Sequence, residues 1–196
     1  MLNRLVTQPD DPIYALMALP KNLQLLFVSA FQSYLFNRIV CRRSEAGLPL
    51  HQAVEGDLIA PFEDGEMKEE WIPVRQANIG RVNEEIERGR AVLTAPLPGT
   101  EVAYADGKPG AIEHEVLTDA KVGRGDFIVP EHLEWSSKGL RRAVLLRPTG
   151  WHLQVEPDEL HPGRSRATVR FALPRGAYAT SVLREYLKAD ELTRYG

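Results

Sequence analysis

The stretch KNLQLLFVSAFQSYLFNRIVCRR, residues 21–43, constrains this chain more than any other. Leu23, Leu26, Phe27, Ala30 and Tyr34 follow three- and four-residue spacing, and Phe27, Phe31, Tyr34 and Leu35 do so along a second line. Apolar side chains therefore cover most of the circumference. Such a helix is expected to be buried on several sides and to form the spine of the main domain. Gly47-Leu48-Pro49 ends it.

The other elements are shorter. Residues 1–20 read as a lead-in with a polar turn at Pro9-Asp10-Asp11-Pro12, a brief helical piece and a stop at Pro20. Gly56-Asp57 precedes a strand start at Leu58, and Asp64-Gly65 within FEDGEMKEEW is a hairpin turn signal. Residues 82–90 read as an amphipathic helix closed by Gly89. AVLTAPLPGTEV is a strand broken at Pro-x-Pro-Gly, and residues 110–120 form a second short helix. Glu113-His114-Glu115 on that helix reads as a charged surface trio. SSKGLRRAVLLRPTG, WHLQVEPDEL and RATVRFALP read as strands. In the last, Ala167, Val169, Phe171 and Leu173 alternate with Thr168, Arg170 and Ala172. A final helix is expected from about Tyr178 to Leu187. The expected class is α+β, with a boundary in HPGRSR that divides the chain into 1–162 and 163–196.

With 196 residues, 43% of them hydrophobic and 26% charged, the chain has the composition of an ordinary globular domain. A net charge of −3 points to neither nucleic acid nor membrane, so any RNA-binding role must rest on local patches. No apolar run is long enough to span a membrane, and MLNRLVTQPDDP lacks the apolar core of a secretory signal. Cys41 is the only cysteine, which rules out a disulfide within the chain and fits a reduced, cytoplasmic setting. Arg42 and Arg43 beside it would lower its thiol pKa if they faced it; the alternative is an inert, packed or half-exposed cysteine. No metal-ligand spacing and no nucleotide-binding glycine motif is present, so neither metal nor cofactor is expected.

FALPRGAYATSVLREYL, residues 171–187, switches sharply from strand to helix. Pro174 ends the strand, Gly176 frees the backbone, and Thr180 or Ser181 can cap the helix. Punctuation alone explains this much. A functional reading adds that a helix N-terminus suits a phosphate. Arg164, Arg166, Arg170 and Arg175 occur between His161 and Ala177 with no carboxylate among them, and Lys138, Arg141, Arg142 and Arg147 form a second run without an acid. Arginine forks match phosphate geometry, whereas the bland reading is a solvated face. Trp71, Trp135 and Trp151 could stack on bases or pack in the core or at its rim.

QSYLFNRIVCRR (32–43), GD (56–57), LPG (97–99), KGLRRAVL (138–145) and FALPRGAYATSVLRE (171–185) occur in this order. Together they resemble the tRNA pseudouridine synthase D (TruD) family, especially its archaeal branch. The resemblance implies a V-shaped enzyme that isomerises uridine to pseudouridine in RNA without cofactor or metal. A catalytic domain and an inserted TRUD domain would hold the RNA between them. Residues 1–162 would be most of the TRUD-type insertion domain, and 163–196 the strand and helix that return to the catalytic domain. Tyr178, Ala179, Thr180 and Arg184 would line the active-site cleft. Arg141, Arg142, Arg164, Arg166, Arg170 and Arg175 would bind RNA. Gln32, Asn37 and Arg43 would organise the inserted domain, Asn37 by bonding to nearby backbone, since a buried unpaired amide costs about 1–3 kcal/mol.

The sequence departs from the family pattern in one respect that matters. The Gly-x-Lys-Asp segment that carries the family's catalytic aspartate is absent, as are its Asn-x-Phe and the Asn-Tyr-Phe-Gly…Gln-Arg-Phe-Gly segment. The chain looks like the C-terminal portion of a longer enzyme and is expected to be inactive alone. Its expected partners are tRNA or another structured RNA and the half that carries the aspartate, with self-association through an uncovered strand 167–173 in the absence of that half. Two other readings are a stand-alone RNA-binding module and a protein-interaction domain.

Overall fold

A computed structural model describes residues 1–174 and 177–188. Helices α1 (Leu2–Thr7) and α2 (Pro12–Leu16) lead into α3 (Lys21–Glu45). Strands β1 (Leu58–Glu63), β2 (Glu66–Met67) and β3 (Ile72–Pro73) follow, then α4 (Ile79–Glu87), β4 (Ala91–Leu97), α5 (Gly107–Asp119) and β5 (Leu140–Ala143). The chain finishes with β6 (Thr149–Pro157), β7 (Ser165–Ala172) and α6 (Ala179–Leu187). The mixed α+β class expected from the sequence is the one observed.

The main sheet runs β2-β1-β4-β5, with β3 beside β2 on the outer edge of β1. All pairings are antiparallel. Asp64-Gly65 makes the β1–β2 turn with φ of 53° and 79°, the left-handed pair that a two-residue hairpin needs. β4 is the hinge of the core. Its Ala91 and Leu93 join Ile59, Val74, Val82 and Ile86 beneath α4, while its Ala95 joins Leu35, Phe36, Ile39 and Val116 beneath α3 and α5.

α3 departs from its expected burial. Its buried residues, Gln32, Leu35, Phe36, Ile39 and Arg43, form one line that begins only near the middle of the helix. The apolar residues of the opposite line stay open to solvent. Among the described residues no helix is long and apolar enough to cross a membrane.

β6 and β7 form a separate two-stranded sheet, paired from Thr149↔Ala172 to Pro157↔Ser165. The boundary expected at 162/163 falls in the turn of this hairpin. A cut there would separate two strands that hydrogen-bond along their length. β7 is therefore not the bare strand expected; β6 covers one of its edges. A cut around Arg147-Pro148, before β6 begins, would keep the hairpin whole.

Candidate nucleic-acid interface

The hairpin has two unlike faces, set by strand alternation. Leu153 and Val155 lie opposite Val169 and Ala167 on the apolar face. α6 covers one end of it: the Trp151 ring stacks on Tyr186 at 4.2 Å and on Phe171 at 5.4 Å. Trp151 thus packs at a rim. On the polar face His152, Gln154 and Glu156 lie opposite Arg170, Thr168 and Arg166.

The arginine run on this face is not the island it is in the sequence. Arg166 Nη2 donates to Glu156 Oε2 at 2.8 Å, and a second Arg166 nitrogen lies 3.7 Å from Glu159. The Arg166 hydrogen bond, helped by one from Gln154, lowers the Glu156 pKa, so the carboxylate keeps its charge beside the arginine. Arg164 is exposed in the turn and Arg170 on the strand, and neither forms an ion pair with a described residue. Arg175 lies outside the described residues, as does Gly176.

Past Pro174 the chain enters α6. Tyr178 is its N-cap residue, without a side-chain capping bond, and Ala179 and Thr180 are exposed in its first turn. Thr180 and Ser181 do not cap: both are already inside the helix. Arg184 is exposed in the last turn. Arg142, on β5, sits 5.9 Å from the Tyr178 ring and 5.6 Å from the Phe36 ring. One guanidinium thus spans from α3 to the start of α6. A cavity of about 520 Å³ lies at the root of the hairpin, lined chiefly by Phe62, Ile86, Leu93, Leu146, Pro148 and Pro174.

Arg141 does not belong to this surface. It is 1% exposed. Its Nε donates to Thr94 Oγ1, Nη1 to the Ala103 carbonyl, and Nη2 to the Thr94 carbonyl and to Glu113 Oε1, at 2.7–2.8 Å. Four of the five guanidinium N–H groups are bonded inside the fold, and the side chain is enclosed, so none of it faces RNA. Nor is Glu113 the surface residue expected: it is buried and also accepts the Ala105 N–H at 2.7 Å. The sequence carried a signal for this. Glu113 lies three and four residues before Val116 and Leu117, on the apolar line of α5. The other half of the basic run is also drawn off, since Lys138 pairs with Glu101 at 3.2 Å and Arg147 donates to the Glu87 carbonyl at 3.1 Å.

The segments carrying the resemblance meet in the body. Gln32 Nε2 donates to the Pro98 carbonyl and to Ser137 Oγ, at 2.6 and 2.7 Å. Arg43 grips Asp57 with two bonds of 2.6 and 2.9 Å and donates to the Pro49 carbonyl through Nε. Asp57 in turn accepts the Val54 N–H. Gly99 and Gly139 face each other backbone to backbone. Gln32 and Arg43 organise the body, as expected of them. Asn37 is exposed, so the desolvation that would force it onto backbone does not arise.

Cys41 is exposed, and its thiol lies 3.4 Å from Glu45 Oε1. That hydrogen bond and the Glu45 charge raise the thiol pKa and outweigh Arg38 and Arg42. Arginines adjacent in sequence thus do not activate it. Alkylation of Cys41 by iodoacetamide is expected to stay slow at neutral pH and accelerate only above the ordinary thiol range. Glu45→Gln should move the rate profile to lower pH, and an unmoved profile would contradict the assignment. Among the described residues no group of three or more His, Cys, Asp or Glu side chains is placed to hold a metal ion.

The family model described as "tRNA pseudouridine synthase D (TruD)" matches residues 1–186. A "Probable tRNA pseudouridine synthase D" of Methanosarcina acetivorans is 45% identical, over 98% of this chain and 44% of its own length. Proteins of the same description from Halobacterium salinarum and Thermococcus sibiricus are 44% and 34% identical, each over 40% of its own length. The fold superposes on the crystal structure of the "Putative tRNA pseudouridine synthase D (TruD)" of Methanosarcina mazei with a TM-score of 0.83 at 42% identity, covering 95% of this chain and 43% of that one. The chain spans less than half the length of these relatives. A match that runs through the buried Arg43–Asp57 and Arg141–Glu113 pairs and nearly to the end of α6 leaves one assignment: the chain belongs to the tRNA pseudouridine synthase D (TruD) family.

Proposed function

We propose that this chain is the RNA-holding part of an isomerase that converts uridine to pseudouridine in tRNA, and that polypeptide beyond these 196 residues brings the catalytic aspartate. The observation that carries the reading is the likeness to the Methanosarcina mazei protein over 95% of this chain. Substrate and product are isomers, so the reaction consumes no co-substrate; that it needs neither cofactor nor metal is what the family resemblance implies. The C1′–N1 bond breaks, the base turns, a C1′–C5 bond forms, the C5 hydrogen leaves as a proton to solvent, and N1 takes up a proton. A carboxylate at the C1′–N1 bond is the group the chemistry needs, and no Gly-x-Lys-Asp segment supplies it here.

In this reading Tyr178, Ala179 and Thr180 line the cleft where α6 starts, and Arg184 borders it from the last turn of that helix. Arg142, Arg164, Arg170 and Arg175 follow the RNA backbone, and Arg166 contributes less because Glu156 already holds it. The body before Arg147-Pro148 is the clamping domain, and the hairpin with α6 is a piece of the catalytic one. The partners are tRNA and the aspartate-bearing polypeptide; in its absence the half-covered face of the hairpin is where copies would self-associate. A cytoplasmic location, where tRNA is found, goes with the reading.

Tritium release from uridine-labelled tRNA, together with tRNA affinity measured across a salt series, tests it. The chain alone is expected to release no tritium and to bind tRNA with an affinity that falls steeply with salt, as counterion release requires. Arg170→Ala should weaken binding and reduce the salt slope by about 1. Multiple turnovers by the chain alone would overturn the missing aspartate. Affinity that is flat with salt, or no affinity, would overturn RNA holding and favour a protein-interaction role.

A further inference from the structure

α3 is apolar on two opposite lines, and the fold uses only one. Leu23, Leu26, Phe27, Phe31 and Tyr34 lie at i, i+3, i+4, i+8 and i+11 and are each 40–59% exposed. They occupy the side of the helix opposite to Gln32, Leu35, Phe36, Ile39 and Arg43. The Phe31 and Tyr34 rings stack at 6.5 Å. Arg38 donates to the Tyr34 hydroxyl at 3.0 Å and closes the line with a charge at its far end. This is a bounded apolar strip about 17 Å long, not scattered surface leucines.

We propose that this strip is the docking surface for the remaining polypeptide of the enzyme, the part of the relatives that this chain does not match. The proposal rests on the function proposed above. Its support is length. The Methanosarcina mazei structure holds the same body within a chain of which the match covers 43%, so most of that chain lies outside it. A helix apolar on both sides belongs between two layers, and the body supplies one of them. A second copy is the weaker occupant. A strip this short falls below the roughly 800 Å² per partner that stable association between separate molecules buries. Two parts of one chain meet at high effective concentration and need less. The occupant is therefore an apolar segment of that polypeptide, seated along Leu23–Tyr34 with Arg38 at its edge.

The test uses the 196-residue chain and a chimera in which it replaces the matched part of the Methanosarcina mazei protein. Hydroxyl-radical footprinting should show Phe27, Phe31 and Tyr34 oxidised several-fold more slowly in the chimera than in the chain alone. Phe27→Asp with Phe31→Asp should lower the Tm of the isolated chain only slightly, because both rings are about half exposed there, and lower that of the chimera by clearly more, because charge would enter an apolar contact. Equal oxidation in the two proteins, or equal Tm shifts, would overturn the proposal. So would a chimera that aggregates where its parent folds. Protection that rises with concentration in the isolated chain, with a dimer by light scattering, would assign the strip to a second copy and overturn it too. Pseudouridine formation by the unmutated chimera is read separately: a protected strip in an inactive chimera keeps the docking and removes the function.

Discussion

Arg141→Ala is expected to destabilise the fold by about 3–5 kcal/mol, seen in urea unfolding and as a Tm lower by about 6–20 °C at this chain length. The cost is not that of one ion pair. Arg141 satisfies the Thr94 hydroxyl, the Thr94 and Ala103 carbonyls and the Glu113 carboxylate together. Its loss leaves a carboxylate 3% exposed with only the Ala105 amide for company. Arg170→Ala, on the exposed face of the hairpin, is the control and should stay within about 0.5 kcal/mol. Adding Glu113→Leu to Arg141→Met should recover the part of the loss due to the stranded charge, while the Thr94 and Ala103 carbonyls and the Ala105 N–H stay unpaired and keep the variant below the parent. A loss under about 1 kcal/mol for Arg141→Ala would mean that water reaches the site. It would also return this residue to the candidates for RNA contact.

Gly99→Ala should cost about 3 kcal/mol or more, at the upper end of overpacking effects. A β-carbon there would overlap the Gly139 amide nitrogen and the Lys138 carbonyl carbon. Both are backbone, so no side chain can swing aside. Building on Gly139 instead meets the Gly99 nitrogen and the Leu97 carbonyl oxygen at 2.7 Å, at a φ of 75° that disfavours any β-carbon. The two glycines stand between the β4–β5 ladder and the bonds that continue it, Thr100 N–H to Ser137 and Glu101 N–H to Lys138. Forcing them apart strains both sets and pulls Pro98 and Ser137 from Gln32. Gly80→Ala, in α4 with open space around it, is the matched control and should be neutral or slightly stabilising. Equal unfolding curves for the two variants would show that the close approach carries no weight.

Local signals in the sequence were legible. Asp64-Gly65 marked its hairpin, Gly89 closed α4, and the alternation of Ala167, Val169 and Phe171 gave the faces of β7 correctly. What the sequence concealed were pairings between distant elements. Arg141 and its neighbours formed a run without acids only along the chain; in space Glu113, twenty-eight positions away, lies against Arg141. Glu113 looked like surface because its neighbours are charged, yet helical spacing puts it with Val116 and Leu117. Arg43 occupies the same kind of position, on the line of Gln32, Leu35, Phe36 and Ile39. A charge on the apolar line of a helix was the sign of a buried pair in both cases. α3 is buried on one side rather than several, for the opposite reason. Periodicity reports which faces are apolar, not which of them this length of chain can cover.

The facing glycines have one more consequence. β5 reads Leu140, Arg141, Arg142, Ala143, with the second and fourth residues inward. Slipped by one residue, it would turn a leucine and an arginine inward instead, a set that pattern alone would accept. Two adjacent arginines make the ladder ambiguous in charge, since either could reach for Glu113. Gly139 removes the ambiguity. Only a residue without a β-carbon fits against Gly99, so the strand can start at one place, and the arginine two residues on is the one that turns inward. The KGLRR segment works as a ruler whose zero is steric and whose reading is electrostatic.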